Sequence, residues 1–308
     1  MMTPHRLSPN SQVAATAKGS LDQQGHPEIR LICTDVDGTL LNSQQKLTPP
    51  VEAAIKAAAA AGVPLVVATG KARGPWVQDV FPRLDMDMPG VFMQGLLVCD
   101  AQGGILKQQD MEHQVVLDCL ALAELHGGIV CCAYCGDRIL AVELDEHTER
   151  LLFYREPVAE AVGKLSAMVG KVPMQKLLFM APQPTLDQLR PLAEELLEGR
   201  ASLTSAINGV LEVLPFGASK GAGVAWLLER LGVDPQHVMA LGDGENDVEM
   251  LQLVGLGVAM GNAAPKACLA ADVRVGTNDE DGVAEAIERY VLAPRGLSSL
   301  PSVTTVAV

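Results

Sequence analysis

Residues 29–40 read Ile-Arg-Leu-Ile-Cys-Thr-Asp-Val-Asp-Gly-Thr-Leu. A short apolar run, 29–34, stops at two aspartates and a glycine. Such a run is expected to be a buried strand entering a tight turn, which sets Asp35 and Asp37 at the strand's carboxyl end. Downstream, Thr48-Pro-Pro-Val-Glu52 supplies an N-cap, first-turn prolines and an early acid, so 51–61 is expected to be a helix stopped by Gly62. Pro64-Leu-Val-Val-Ala-Thr69 is a second apolar strand with Gly70 just after it, and 91–98 is expected to be a third. Strand, helix, strand at this spacing predicts a right-handed βαβ unit and a parallel sheet.

The middle of the chain has a different texture. Helices are expected at 111–126, 158–168 and 186–197, and strands at 139–144, 151–155 and 176–181. This mixture reads as an α+β unit of roughly 110 residues, a normal domain size. The parallel pattern is then expected to resume. A strand at 210–214 leads to Gly217-Ala-Ser-Lys220, a helix spans 221–231, and a strand at 237–241 ends at Gly242-Asp243. A helix at 248–253, a strand at 257–260 and a helix at 283–291 follow.

Ligands of open α/β sheets bind beyond the carboxyl ends of the strands. Asp35, Asp37, Thr69, Asp243 and Asp247 all fall at such ends. Four carboxylates (Asp35, Asp37, Asp243, Asp247) meeting in one crevice would repel each other and raise one another's pKa. Mg²⁺, a hard cation that takes oxygen ligands, resolves that repulsion, and Lys220 offers a second positive charge. A lysine at a helix start is badly placed against the helix dipole unless it serves a site. This set suits phosphoryl transfer. One Asp can be a covalent nucleophile, and a second, two residues on, can act as general acid and then base. The Thr69 hydroxyl and backbone N–H groups around Gly38, Thr39 and Gly70 are candidate phosphate contacts.

The ordered pieces Asp35-Val-Asp-Gly-Thr-Leu40, Val66-Val-Ala-Thr-Gly70, Gly217-Ala-Ser-Lys-Gly221 and Gly242-Asp-Gly-Glu-Asn-Asp-Val-Glu-Met250 resemble the haloacid-dehalogenase superfamily, within it the Cof-type phosphatases. Met260-Gly-Asn-Ala263 and Asn278-Asp-Glu-Asp-Gly-Val283 also match, so the likeness covers roughly 29–290. The resemblance implies an α/β fold, a Rossmann-like parallel-sheet core with an inserted α+β cap domain. The expected organisation is a leader at 1–28, a core at 29–95 and 206–291, a cap at 96–205 and a tail at 292–308. It implies that Asp35 is nucleophile and metal ligand, and that Asp37 is general acid/base with its backbone carbonyl on the metal. Thr69 binds phosphate, Lys220 stabilises charge, Asp243 is the second carboxylate ligand, and Asn246 and Asp247 support the metal and the lysine. The cofactor is Mg²⁺ and the partner a small phosphorylated substrate, a sugar phosphate or a nucleotide-like cofactor. A phosphomutase and a non-catalytic binding protein on the same fold are the alternatives. Two positions depart from the family pattern: Lys71 stands where Arg is common, and Gln94 where Asn is common. Both are expected to bear on cap positioning or substrate choice. In the cap, Tyr134 and Arg138 are candidates to face the substrate.

Composition narrows the field further. The 308 residues carry 23 Lys+Arg against 37 Asp+Glu, a formal net charge of −14, which disfavours nucleic acid and anionic membranes as partners. With 48% hydrophobic residues the chain can bury a sizeable core, and no run of about 18 uncharged apolar residues suggests a membrane span. Seven cysteines form no disulfide or zinc pattern, and Cys131, Cys132 and Cys135 are expected to be small buried hydrophobes. They point to a reducing compartment, the cytoplasm or an organelle stroma, rather than secretion.

Overall fold

The structure is a computed structural model and describes residues 28–205 and 207–299. The expected leader thus lies almost wholly outside the described residues, as does the end of the expected tail. The chain opens with β1 (Leu31–Thr34), α1 (Pro49–Ala60), β2 (Leu65–Val67), α2 (Pro75–Arg83), β3 (Gly90–Phe92), β4 (Leu97–Cys99) and β5 (Ile105–Gln108). Next come α3 (His113–His126), β6 (Val130–Cys135), β7 (Arg138–Ala141), α4 (Glu146–Phe153), β8 (Ala159–Ala161), β9 (Lys176–Met180), α5 (Gln183–Leu196), β10 (Ala201–Thr204) and β11 (Val210–Pro215). The last stretch holds α6 (Lys220–Leu231), β12 (Val238–Gly242), α7 (Val248–Leu253), β13 (Leu256–Ala259), α8 (Pro265–Ala270), β14 (Val273–Arg274) and α9 (Gly282–Ile287).

A parallel sheet in the order β14-β13-β12-β1-β2 forms the first layer. β3 continues it through a parallel bridge between Ala68 and Val91. Alternation along β1 assigns the two faces. Ile32 packs with Val51, Ala54, Val283 and Ile287 of α1 and α9, whereas Leu31 and Cys33 pack with Val224, Leu227, Met250 and Leu251 of α6 and α7. β1 is flanked by β2, which follows it, and by β12, about two hundred residues later. That reversal opens the crevice where such sheets bind ligands, and Asp35 and Asp243 stand directly above it.

A second, mostly antiparallel sheet runs β10-β11-β9-β6-β7-β8. Leu177 and Phe179 of β9 pack under α3 and α5 with Cys131, Ala133 and Cys135 of β6. The alternate residues, Lys176 and Leu178 of β9, Tyr134 of β6 and Glu212 of β11, turn toward the parallel sheet and line the cleft. All seven cysteines are free, and Cys131, Cys132 and Cys135 are buried apolar residues as expected.

Several local expectations need correction. Residues 151–155 are not a strand: α4 runs through Leu151, started by Asp145, whose carboxylate accepts the Thr148 N–H while the Thr148 hydroxyl faces the Asp145 backbone. Residues 158–168 are not a helix, because they hold the short strand β8 and a 3₁₀ turn at Leu165–Met168. The strand expected at 91–98 is split into β3 and β4, an antiparallel hairpin. Its corner, Met93-Gln-Gly95, has φ of 47, 57 and 88°. Gly95 is required there, since a side chain would strike the Ser219 carbonyl and the Gly223 backbone of α6. β11 was expected in the parallel sheet but pairs with β9 and β10 in the second one. We therefore propose that the cap ends near Pro215, and that β4 and β5, which pack beside β3 and α6, go with the core. The expected tail starts inside the fold, with Leu292 buried and Arg295 donating to the Ile29 carbonyl at 2.6 Å.

Candidate active site

Asp35 leaves β1 at the switch point, its N–H bonded to the Leu241 carbonyl of β12 at 2.9 Å. Lys220, the first residue of α6, reaches across to it. Ser219 caps that helix by accepting the Ala222 N–H at 3.0 Å, which frees the lysine to point into the crevice. Lys220 Nζ lies 2.6 Å from Asp35 Oδ1 and 2.6 Å from Asp247 Oδ1. Asp247 is fully buried, and its second oxygen accepts the N–H groups of Asp243 and Gly244 at 2.9 and 2.8 Å. Asp243 accepts the Thr39 hydroxyl at 2.9 Å, and Asn262 Nδ2 ties the Gly38 carbonyl to the same corner at 2.8 Å. Gly38 has φ +78°, and a Cβ there would run into the Asp243 carboxylate.

Carboxylate oxygens of Asp35, Asp243 and Asp247 lie within 4.8 Å of one another. Burial raises the Asp35 carboxyl well above its usual range. Lys220 opposes that shift, while Asp247 and Asp243 add to it. Burial, then Asp247, pushes Asp243 to about 7. Burial works against the charge on Lys220, but Asp247 and Asp35 outweigh it and its pKa rises. Three carboxylates thus share one ammonium, and the excess negative charge is what a hard cation would neutralise. The donor set fits such an ion: Asp35 gives Lys220 only Oδ1, and Asp243 Oδ2 has only a long 3.4 Å contact from Asn262 Nδ2, whereas both oxygens of Asp247 are held at 2.6–2.9 Å.

Of the four carboxylates expected to converge, Asp37 is the exception. It lines the same cleft, but its Oδ1 is turned to Lys71 Nζ at 3.1 Å. Thr69 is buried at the end of the second strand segment, its hydroxyl accepting the Lys71 N–H at 3.1 Å. Gly70 also lines the cleft, and its carbonyl accepts Lys176 Nζ at 2.7 Å. Asn246 donates to Gln94 Oε1 at 3.1 Å.

The second sheet closes over the cleft. Lys176 pairs with Glu212 at 2.6 Å and stands 4.5 Å from the Tyr134 ring centroid. Gln94 Nε2 donates to Glu212 at 2.9 Å, so Gln94 joins the two halves. Glu156 accepts the Ala72 N–H at 3.1 Å, and burial, opposed by Lys71 and Lys176, moves its pKa up to about 7. Tyr134 does face the cleft, while Arg138 is exposed and paired with Glu160. Lys176, Glu212 and Glu156 were not anticipated. A signal existed in Val210-Leu-Glu-Val-Leu214: a carboxylate inside an apolar strand needs a buried partner.

Residues 32–287 match the family described as haloacid dehalogenase-like hydrolase. The chloroplastic endoribonuclease YBEY of Arabidopsis thaliana is 38% identical over 275 residues, 86% of this chain, and the chain spans 47% of that relative's length. Phosphatase YwpJ of Bacillus subtilis is 29% identical over 288 residues, 85% of this chain and all of that protein. The crystal structure of a haloacid dehalogenase-like hydrolase from Bacteroides thetaiotaomicron superposes with a TM-score of 0.75 at 26% identity, covering 85% of this chain and 99% of that one. Among the described residues no helix is long and apolar enough to cross a membrane. The chain belongs to the haloacid dehalogenase-like hydrolases, among their Cof-type phosphatases, and is an enzyme of phosphate-ester hydrolysis.

Proposed function

We propose that this enzyme is a Mg²⁺-dependent phosphatase that hydrolyses a small phosphorylated metabolite through an aspartyl phosphate on Asp35. The observation that carries the reading is the buried Lys220 bridging Asp35 and Asp247, with Asp243 beside them. The carboxylates of Asp35 and Asp243, with the Asp37 backbone carbonyl, would hold the ion. Bound there, Mg²⁺ would neutralise the nucleophile and the phosphoryl oxygens so that two anions can approach.

The chain's own residues account for the rest. Asp35 Oδ attacks phosphorus, the bond from phosphorus to the ester oxygen breaks, and Asp37 gives its proton to the departing alkoxide. Asp37 then removes a proton from water, which attacks the aspartyl phosphate and releases inorganic phosphate. Lys220 holds Asp35 in its attacking direction and offsets charge as it develops. Thr69 and the backbone around Gly38, Thr39 and Gly70 orient the phosphoryl group, and Asp247 and Asn246 keep Lys220 and Gln94 in place. The second sheet excludes bulk water. Its Tyr134, Leu178 and Val210, with charged Lys176 and Glu156, present a mixed apolar and charged surface that suits a small metabolite such as a sugar phosphate or a nucleotide-like cofactor.

Mg²⁺-dependent phosphate release from p-nitrophenyl phosphate, followed by a panel of sugar phosphates and phosphorylated cofactors, tests this proposal. Full activity in Asp35→Asn would overturn it. The free cysteines and the chloroplastic relative favour a reducing compartment such as a plastid stroma or the cytoplasm, which imaging of a tagged full-length protein would check.

A further inference from the structure

Lys71 differs from the other buried cations of the cleft. Lys176 and Lys220 each pair with carboxylates as buried as themselves. Lys71, 2% exposed, instead spans two different parts of the molecule. On one side its Nζ donates to Asp37 Oδ1 at 3.1 Å. On the other it donates to the backbone carbonyl of Tyr154, at the end of α4, and sits 5.7 Å from the centroid of that residue's ring. One residue on, the Ala72 N–H meets the Glu156 carboxyl at 3.1 Å. Residues 71–72 of the core and 154–156 of the cap therefore form a seam, and the Asp37 carboxylate is attached to it. Among the described residues Lys71 supplies the hydrogen bond to that carboxylate, whose side chain keeps 19% of its surface exposed.

We infer that Lys71 is a positioning residue that couples the proton-transferring carboxylate Asp37 to the seating of the cap segment 154–156. An ammonium has donors enough for both acceptors at once, and two fixed acceptors set its direction. With the segment seated, the tethered Lys71 holds Asp37 Oδ1 in one orientation. With the segment lifted, the Tyr154 carbonyl is withdrawn and Asp37 regains its rotamer freedom. General-acid transfer needs the carboxyl within roughly 3 Å of the leaving oxygen. Proton delivery is thus efficient only when the cap has closed over a substrate.

The inference rests on the phosphatase reading above, and leaving-group dependence tests it. Phenyl phosphate and p-nitrophenyl phosphate carry the same charge and differ only by the para-nitro group, but phenolate is a far more basic leaving group and needs the Asp37 proton. In the step measured, Asp35 Oδ bonds to phosphorus, the phosphorus–phenolic oxygen bond breaks, and the Asp37 proton moves to the phenolate. Single-turnover rates with Mg²⁺ would be taken for the wild type, Lys71→Met, Lys71→Gln and Lys71→Arg, with melting curves to confirm folding. The expected result is a loss of about 10–100-fold for phenyl phosphate in Lys71→Met, the range that misplacing a catalytic group produces. The loss for p-nitrophenyl phosphate should be under about 3-fold, KM should be nearly unchanged, and Lys71→Arg should recover most of the rate. If Lys71→Met does not fold, the neutral Lys71→Gln makes the same comparison. Equal losses for the two esters would show a merely structural lysine, and a loss confined to KM would show a substrate-binding one. Either result overturns the inference and leaves the phosphatase reading standing. Turnover that survives Asp35→Asn overturns both.

Discussion

Replacing Lys220 with methionine removes the ammonium and keeps most of the side-chain volume. The lysine is fully buried, and its two partners, Asp35 and Asp247, have side chains only 7% and 0% exposed. Both carboxylates would then lack a counter-charge in a largely buried site. Breaking a buried pair by removing one partner typically costs about 3–5 kcal/mol. In a chain this long, each kcal/mol moves the midpoint by roughly 2 °C, so the metal-free variant should melt about 6–10 °C lower at pH 7. The lysine's pKa is raised in the folded state, so its stabilising effect is fully present at pH 7 and is lost only at strongly alkaline pH. Burial already favours the protonated Asp35 carboxyl, so lowering the pH should relieve the repulsion and shrink the deficit. Phosphatase turnover should fall at least about 100-fold, the usual cost of one preorganised charge-stabilising group. Scanning calorimetry with chelator at pH 7 and at lower pH, together with steady-state kinetics, makes the comparison. A variant that melts within about 1 °C of the wild type at pH 7 would refute the reasoning.

Asp243 titrates near 7 in the fold against an ordinary 3.8, so metal-free stability should be lost as pH rises from about 4 through 7, by at most about 4 kcal/mol. Mg²⁺ held by Asp243 would reverse that cost, so the melting gain from Mg²⁺ over chelator should be larger at pH 8 than at pH 5; equal gains would count against Asp243 as a ligand. Glu156, raised from 4.5 to about 7 mainly by burial, likewise costs stability as it ionises. Glu156→Gln still accepts the Ala72 N–H, so it should match the wild type near pH 4.5 and exceed it at pH 8 by up to about 3 kcal/mol, read from denaturant melts.

The convergence of Asp35, Asp243, Asp247 and Lys220 was legible because these residues sit where apolar strands end or a helix begins. Ile29 to Thr34 and Val238 to Leu241 are uninterrupted enough to be read as buried parallel strands, and the acids that follow them cannot be core residues. The cap was harder to read. Leu151-Leu-Phe153 is too short to separate helix from strand by periodicity, and Asp145, six residues earlier, decides for helix by capping it. β11 looks like a core strand in isolation, and its membership of the second sheet depends on long-range pairing with β9 that no local pattern encodes. Lys71 and Gln94 were legible as departures from a family pattern, but not as the residues that meet the cap. Their partners, the Tyr154 carbonyl and Glu212, lie 83 and 118 residues away.

The central claim is that Asp35 carries the phosphoryl group during turnover. Acid quenching of the enzyme while it turns over p-nitrophenyl phosphate with Mg²⁺, followed by peptide mass spectrometry, tests it most directly. The account predicts a phosphoryl group on the peptide containing Asp35, absent from Asp35→Asn. A phosphoryl group on another residue, or none on the wild type during turnover, would contradict it.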